Sequence, residues 1–171
     1  MSFSTIRAMW ARLFPPKRLT CPMHLWVTIS RELRKRGMGT RESGGFLLGR
    51  QIGRRRAVKR FIPYDEIDPN CLRGGILFDG SKMDTVWNVC RTSGLQVVAD
   101  VHTHPGGFFQ SSVDRANPMF PQAGHIALII PNFADRTYLP GEIGIFEFCG
   151  NDRWRDHSCH GAKFFSIRRF A

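Results

Sequence analysis

Three short apolar runs place the strongest limit on how this chain can fold. They are F-L-L at 46–48, L-Q-V-V-A-D-V at 95–101 and I-A-L-I-I at 126–130. Mostly apolar runs of this length are typical of strands that are covered on both faces of a sheet. A chain of 171 residues is long enough to bury such a sheet within one domain.

Helices and further strands can be placed around these runs from periodicity and turn residues. We predict helices over 24–36 and 81–93; the first ends before Gly37 and the second starts with a capping box from Ser81 to Asp84. The predicted strands are 44–49, 57–62, 95–101, 126–130, 143–148 and an edge strand at 164–170. The pattern predicts an α/β domain, helices interleaved with a mixed sheet, over residues 23–171. Residues 1–22 are interpreted as a basic, loosely attached leader.

Charge and cysteine content narrow the class of protein without deciding its function. The formal net charge is +11, which fits a solvated basic face, an acidic protein partner or a nucleic acid. The run Arg54–Arg56 is predicted to be a solvent-facing hairpin turn. Five scattered cysteines without a C-x-x-C pair argue against a disulfide framework and a cysteine zinc knuckle. No apolar run approaches the roughly 20 residues that span a bilayer, so we expect a soluble, cytoplasmic protein.

The segment D-V-H-T-H-P at 100–105 is the densest chemical signal in the chain. His102 and His104 are two residues apart at the end of a predicted strand, so both imidazoles point to the same side. Asp114 follows after a loop rich in glycine and polar residues. Two histidines and one aspartate leave a fourth position open, which is the arrangement of a catalytic zinc rather than a structural one.

Two further residues are candidates for the chemistry at such a metal. Glu42 directly precedes an apolar strand and could accept a proton from the metal-bound water; on its own it would be an ordinary carboxylate at a strand start. Ser111, three residues before Asp114, could donate to the oxyanion of a tetrahedral intermediate. It could also be only the N-cap of a short helix.

The ordered set E-S-G-G-F-L-L-G at 42–49, V-A-D-V-H-T-H-P at 98–105 and S-S-V-D at 111–114 resembles the JAMM motif of MPN+ (JAB-type) metallopeptidases. The likeness covers roughly residues 24–150. It implies a cytidine-deaminase-like three-layer JAB/MPN fold. It also implies one Zn²⁺ per chain on His102, His104 and Asp114, with Glu42 as general base and Ser111 as oxyanion donor.

The resemblance further implies hydrolysis of the isopeptide or peptide bond after the C-terminus of a ubiquitin-like protein. The chain is similar to the stand-alone, deubiquitinase-like peptidases of bacterial ubiquitin-like conjugation operons, some of which act in anti-phage defence. The expected partners are a ubiquitin-like protein with its conjugates and the conjugation enzymes of the same operon, not a nucleic acid or a membrane. Alternatives are a non-catalytic MPN scaffold or binding module, and a DNA-associated member of the superfamily. A zinc nucleobase deaminase would need H-x-E and P-C-x-x-C, and neither motif occurs.

Several residues near these motifs have two readings from sequence. Asp100 could orient an imidazole or simply cap the sheet, and His125 could support the site or be a satisfied core histidine. Phe108 and Phe109 could contact a substrate tail or pack under their loop. Four aromatic residues are predicted to belong to the core: Trp26, Phe46, Phe78 and Trp87.

Overall fold

The computed structural model describes residues 18–73 and 75–169. Its strands are β1 (Leu19–Pro22), β2 (Gly44–Ile52), β3 (Arg55–Pro63), β4 (Leu72–Arg73), β5 (Gly75–Ile76), β6 (Gln96–Thr103), β7 (Ile126–Ile130), β8 (Gly144–Phe148), β9 (Trp154–Asp156) and β10 (Phe165–Arg168). Its helices are α1 (Met23–Gly37), α2 (Tyr64–Ile67), α3 (Met83–Ser93), α4 (Ser112–Ala116) and α5 (Gly161–Phe164). Among these helices, none has the length and apolar character required to cross a membrane.

Eight of the strands form one mixed sheet in the order β10–β1–β3–β2–β6–β7–β8–β9. Strand β6 is central, antiparallel to β2 and parallel to β7. Strands β4 and β5 form a separate two-stranded hairpin. The mixed α/β architecture predicted from the sequence is confirmed at this level.

Helices cover both faces of the sheet, because successive residues of β2 point to opposite sides. Leu47 belongs to the core that α1 covers with Trp26 and Leu33. Phe46 belongs to a second core, which contains Val86 of α3. The apolar runs are therefore buried from both sides, as their composition indicates.

The sheet curls strongly, as one ion pair between distant strands demonstrates. Arg18, directly before β1, places Nη1 2.7 Å from Oε2 of Glu147 on β8. Strands β1 and β8 are five positions apart in the sheet order, which is about 24 Å in a flat sheet. An arginine side chain cannot bridge that distance, so the sheet must bend back on itself.

Strand β1 contains the last four residues of the segment 1–22 that is predicted to be a leader. Residues Leu19–Pro22 pair with both β10 and β3 and so belong to the sheet. Residues 1–17 of the predicted leader lie outside the described residues. The three-residue strand β9 was also not predicted.

Three local predictions need correction. Asp79 caps the short 3₁₀ turn Gly80–Lys82 that leads into α3, because its carboxylate accepts a hydrogen bond from the Ser81 amide; the box predicted from Ser81 to Asp84 does not form. Gly37 is the buried last residue of α1, and Met38 takes the left-handed conformation instead. Arg54 and Arg55 are exposed as predicted, but Arg56 turns inward and donates to two backbone carbonyls.

Candidate metal centre

His102 and His104 lie at the carboxyl end of the central strand β6. As alternate residues they point to the same face of the sheet, and each is 8% exposed. Their Nε2 atoms are 3.1 Å apart. Two facing ring nitrogens at this distance repel each other unless a proton or a cation lies between them.

Asp114 completes the group from helix α4, on the far side of the loop that follows β6. Its Oδ1 lies 3.5 Å from His102 Nε2, and its Oδ2 lies 3.2 Å from His104 Nε2. The helix is held by a capping box: Ser111 Oγ accepts from the Asp114 amide, and the Ser111 amide donates to Asp114 Oδ2 at 2.7 Å. Ser111 is therefore the N-cap of α4, and it also lines the cavity beside the histidines.

The three side chains fit a tetrahedral metal ion. Their nearest ligand atoms all lie within 4.8 Å of one another. A zinc ion with bonds of about 2.0–2.1 Å holds its ligand atoms about 3.3 Å apart, close to the 3.1 Å between the two Nε2 atoms. The two Asp114 distances involve different oxygens, and one of these oxygens would be the single aspartate ligand atom. Within the described part of the chain, His102, His104 and Asp114 form the one such group.

The electrostatics of these side chains reflect their convergence. Burial by itself lowers the pKa of His102, but its contacts with Asp100 and Asp114 outweigh burial and raise the pKa to about 9. Burial raises the pKa of Asp114, but its contacts with His102 and His104 dominate and hold that pKa well below its usual range. The site thus brings together groups that bind protons, and a metal cation can take the place of those protons.

Glu42 is placed on the same face as the histidines by the register of β2 against β6. Gly44 lies opposite His102, and the Thr103 amide donates to the Ser43 carbonyl beyond it. Continuing this register sets Glu42 across from His104, with its side chain toward the same side of the sheet. Glu42 lines the cavity but is outside the group of converging ligand atoms.

A cavity of about 910 Å³ opens beside these residues. Its apolar wall is formed by β5 and the residues that follow it, the first half of α3, the segment after α4 and the start of β9. Aromatic and methionine side chains on this wall are Phe78, Met83, Trp87, Met119, Phe120 and Trp154. Trp87 therefore faces the cavity, which corrects its assignment to the core. Phe78 lines the cavity but also packs against the second core, with ring contacts to Phe46 and Tyr64. Trp26 and Phe46 are fully buried as predicted.

Main-chain hydrogen bonds from a neighbouring turn hold the loop that follows His104. Asn132, Phe133 and Ala134 form a turn in which all three residues have φ between 52° and 55°. The Phe133 amide donates to the His104 carbonyl, and the Asn132 amide donates to the Gly106 carbonyl. Farther along the loop, Phe109 is 72% exposed, so it does not pack beneath the loop. The left-handed turn could not be predicted from the sequence, because none of its residues is glycine.

Asp100 and His125 form a buried pair on the sheet below His102. Asp100 Oδ1 lies 2.6 Å from His125 Nε2, and Tyr64 donates its hydroxyl to Asp100 Oδ2 at 3.1 Å. Burial raises the pKa of Asp100, but its contacts with His102 and His125 outweigh burial and lower the pKa to about 2. Both residues are thus engaged with the site, which the sequence alone left open.

Comparisons with known proteins give a local sequence match and a fold match. No family model matches the chain. Over 63 residues it is 27% identical to the protein named Probable metalloprotease y4jG of Sinorhizobium fredii; the match covers 37% of this chain and 39% of that protein. The chain thus aligns with well under half of this relative's length.

Two solved structures share the fold at low sequence identity. A protein of Desulfitobacterium hafniense has a TM-score of 0.64 at 20% identity, covering 88% of this chain and 92% of that one. A protein of Salinibacter ruber has a TM-score of 0.56 at 16% identity, covering 81% and 88% of the two chains. These likenesses describe the fold alone.

Proposed function

We propose that this protein is a zinc-dependent peptidase of the JAMM (MPN+) type. The observation that carries the proposal is the convergence of His102, His104 and Asp114, whose ligand atoms lie close enough together to hold one metal ion. The local similarity to a protein named as a metalloprotease supports the same class of activity. Helices on both faces of a mixed sheet agree with a cytidine-deaminase-like JAB/MPN domain.

The chemistry is divided among the residues that line the cavity. When bound, zinc supplies a Lewis acid and an activated water. Glu42 takes the proton from the attacking water and returns it to the leaving amine. Because Ser111 Oγ accepts the Asp114 amide hydrogen, its own hydroxyl hydrogen is available to the developing oxyanion.

The proposed substrate is the bond after the C-terminus of a ubiquitin-like protein, either an isopeptide bond to a lysine or a peptide bond in a precursor. This assignment rests on the resemblance of the E-S-G-G, H-T-H-P and S-x-x-D segments to the JAMM motif. The cavity is large enough to hold an extended segment beside the metal. The partners would be the ubiquitin-like protein, its conjugates and the conjugation enzymes of a bacterial anti-phage operon.

Metal analysis and a cleavage assay test this function together. The purified protein should contain about one zinc per chain, and His102→Ala combined with His104→Ala should remove it. It should also release a cargo fused to the C-terminus of a cognate ubiquitin-like protein. A zinc-containing protein that cleaves neither this fusion nor an isopeptide-linked conjugate would instead fit a non-catalytic scaffold.

Inhibitors separate the proposed mechanism from cysteine catalysis. Among the described residues no cysteine lines the cavity, and Cys159 is the exposed one. A chelator should therefore abolish cleavage, and a thiol alkylating agent should leave it intact. Loss of activity on alkylation together with resistance to chelation would reject the zinc mechanism.

A further inference from the structure

Asp100 occupies an unusual position for a carboxylate, buried in the sheet two residues before a metal ligand. It is 2% exposed and shares the His102 face of β6. Each of its oxygens has a partner, His125 Nε2 on Oδ1 and the Tyr64 hydroxyl on Oδ2. A buried carboxylate is costly unless it is held by several donors, so this arrangement keeps the charge in one fixed place.

The fixed carboxylate faces the side of His102 that points away from the metal ligands. Asp100 Oδ2 lies 3.8 Å from His102 Nδ1, while His102 Nε2 points to His104 and Asp114. At this distance, which is longer than the about 3.2 Å of an N–H···O hydrogen bond, the carboxylate acts on the ring through its charge. Among the described residues, no second carboxylate approaches His102 from this side.

His104 provides an internal comparison. Its ion-pair contact in the described part of the chain is with Asp114, through Nε2. No described carboxylate lies within ion-pair distance of its Nδ1. The two histidines therefore differ in support: one has a buried negative charge behind it, and the other is held through its backbone carbonyl by the Phe133 amide.

We propose that Asp100, held by His125 and Tyr64, is a positioning residue that orients His102 for metal binding. A histidine that binds through Nε2 must carry its hydrogen on Nδ1, and an acceptor facing Nδ1 stabilises that tautomer and ring orientation. The negative charge also makes the imidazole a stronger donor to the cation. This inference deepens the proposed function and rests on its metal site.

Zinc affinity in competition with a chromogenic chelator tests the role directly. Asp100→Asn keeps the size of the side chain and an oxygen for the Tyr64 hydroxyl, but it removes the charge. We expect its zinc affinity to fall by about 10–100-fold, the range for losing such an outer partner. Unchanged affinity in a folded Asp100→Asn protein would overturn the inference.

His125 variants keep the test decisive if Asp100→Asn does not fold. His125→Leu removes the donor to Asp100 Oδ1 and should weaken zinc binding. His125→Gln offers an amide N–H in place of Nε2–H and should restore much of the affinity. Equal affinity in the Leu and Gln variants would overturn the proposed role of the pair.

A spectroscopic signature separates positioning from general destabilisation. In zinc-loaded protein with ¹⁵N-labelled histidine, the Nδ1–H proton of His102 should exchange slowly with water, and Asp100→Asn should speed its exchange. The Nδ1–H proton of His104 should not respond, since no described carboxylate faces it. Identical exchange in both proteins would overturn the inference, whereas a native protein without zinc would instead reject the proposed function.

Discussion

Gly44 of β2 lies directly across the sheet from His102 of β6, and the ring of Tyr64 fills the space that a side chain at Gly44 would need. A Cβ at this position would come within 2.4 Å of Tyr64 Cε2 and 2.8 Å of the Val101 carbonyl oxygen. Strand β2 thus packs closely at Gly44 against the ring of Tyr64, and the hydroxyl of Tyr64 donates to Asp100. Glycine is required here for close approach rather than for a special backbone angle.

Gly44→Ala should therefore destabilise the protein and loosen the metal site together. Overpacking of this kind costs about 1–3 kcal/mol in the free energy of unfolding. Gly141→Ala is the matched control, because a Cβ there meets no atom within 4 Å. Denaturant unfolding of both variants measures the difference, and equal midpoints would show that Tyr64 moves aside without cost.

Glu42→Gln should separate the proton acceptor from the ligands. The substitution keeps the size of the side chain but removes the base, so turnover should fall by about 10²–10⁴-fold while zinc content stays at the native level. Asp114→Asn should lose zinc as well as activity. Elemental analysis beside initial rates provides the measurement; zinc loss in Glu42→Gln as severe as in Asp114→Asn would make Glu42 a ligand.

Ser111 can be tested with a substitution that is tolerated at a helix N-cap. Ser111→Ala removes the acceptor for the Asp114 amide and should cost about 0.5–2 kcal/mol of stability. Glycine at an N-cap costs only a few tenths of a kcal/mol, so Ser111→Gly should be nearly as stable as the native protein. Because glycine has no side-chain donor, the turnover of Ser111→Gly should remain low. Native turnover in Ser111→Gly would leave Ser111 as a cap alone.

Stability in acid should depend on the ion pair that closes the curled sheet. Burial raises the pKa of Glu147, but hydrogen bonds from Arg18 and His157 outweigh burial and lower it below the usual 4.5. The stabilisation from Glu147 is thus complete above that value and is lost as the pH falls through the lower folded-state pKa. Glu147→Gln should be less stable than the native protein at neutral pH, and the difference should shrink in acid.

Glu142→Gln is the matched control for this prediction. Glu142 pairs with Arg136 at 2.8 Å, but both side chains are 40% or more exposed. Exposed pairs contribute little, so unfolding midpoints of Glu142→Gln should follow those of the native protein at every pH. A Glu147→Gln protein as stable as this control would show that other contacts close the sheet.

Much of the fold can be predicted from local sequence patterns. The elements that could not be predicted depend on pairing between segments that are distant in the chain. Helix α1 and strands β2, β6 and β7 were predicted because their burial is visible in periodicity and apolar runs. Strand β1 was missed because L-T-C-P is only four residues long and ends in proline, so the alternation of buried Leu19 and Cys21 is too short to be read from the sequence. Its partners, β10 and the start of β3, are remote in the chain and pair in parallel.

Some features of the candidate site can likewise be predicted from local sequence, and others depend on how distant strands pair. The residue types and spacing of His102, His104 and Asp114 suffice to predict a metal site. The engagement of Asp100 with His125 depends instead on the parallel register that sets Asp100 opposite Ala127, and no local pattern encodes that register. Trp87 was predicted to be core because it lies on the apolar face of α3, yet this part of the helix borders the cavity.

The left-handed turn at Asn132–Ala134 makes the position of His104 independent of the side chains in the loop that follows it. It holds the loop at His104 and Gly106 through main-chain atoms, which any residue supplies. Within the described chain, residues 107–110 make no hydrogen bond that fixes their identity, and Gln110 lines the cavity. A substitution at Gln110 can therefore change the wall of the cavity while the main-chain hydrogen bond at His104 stays in place.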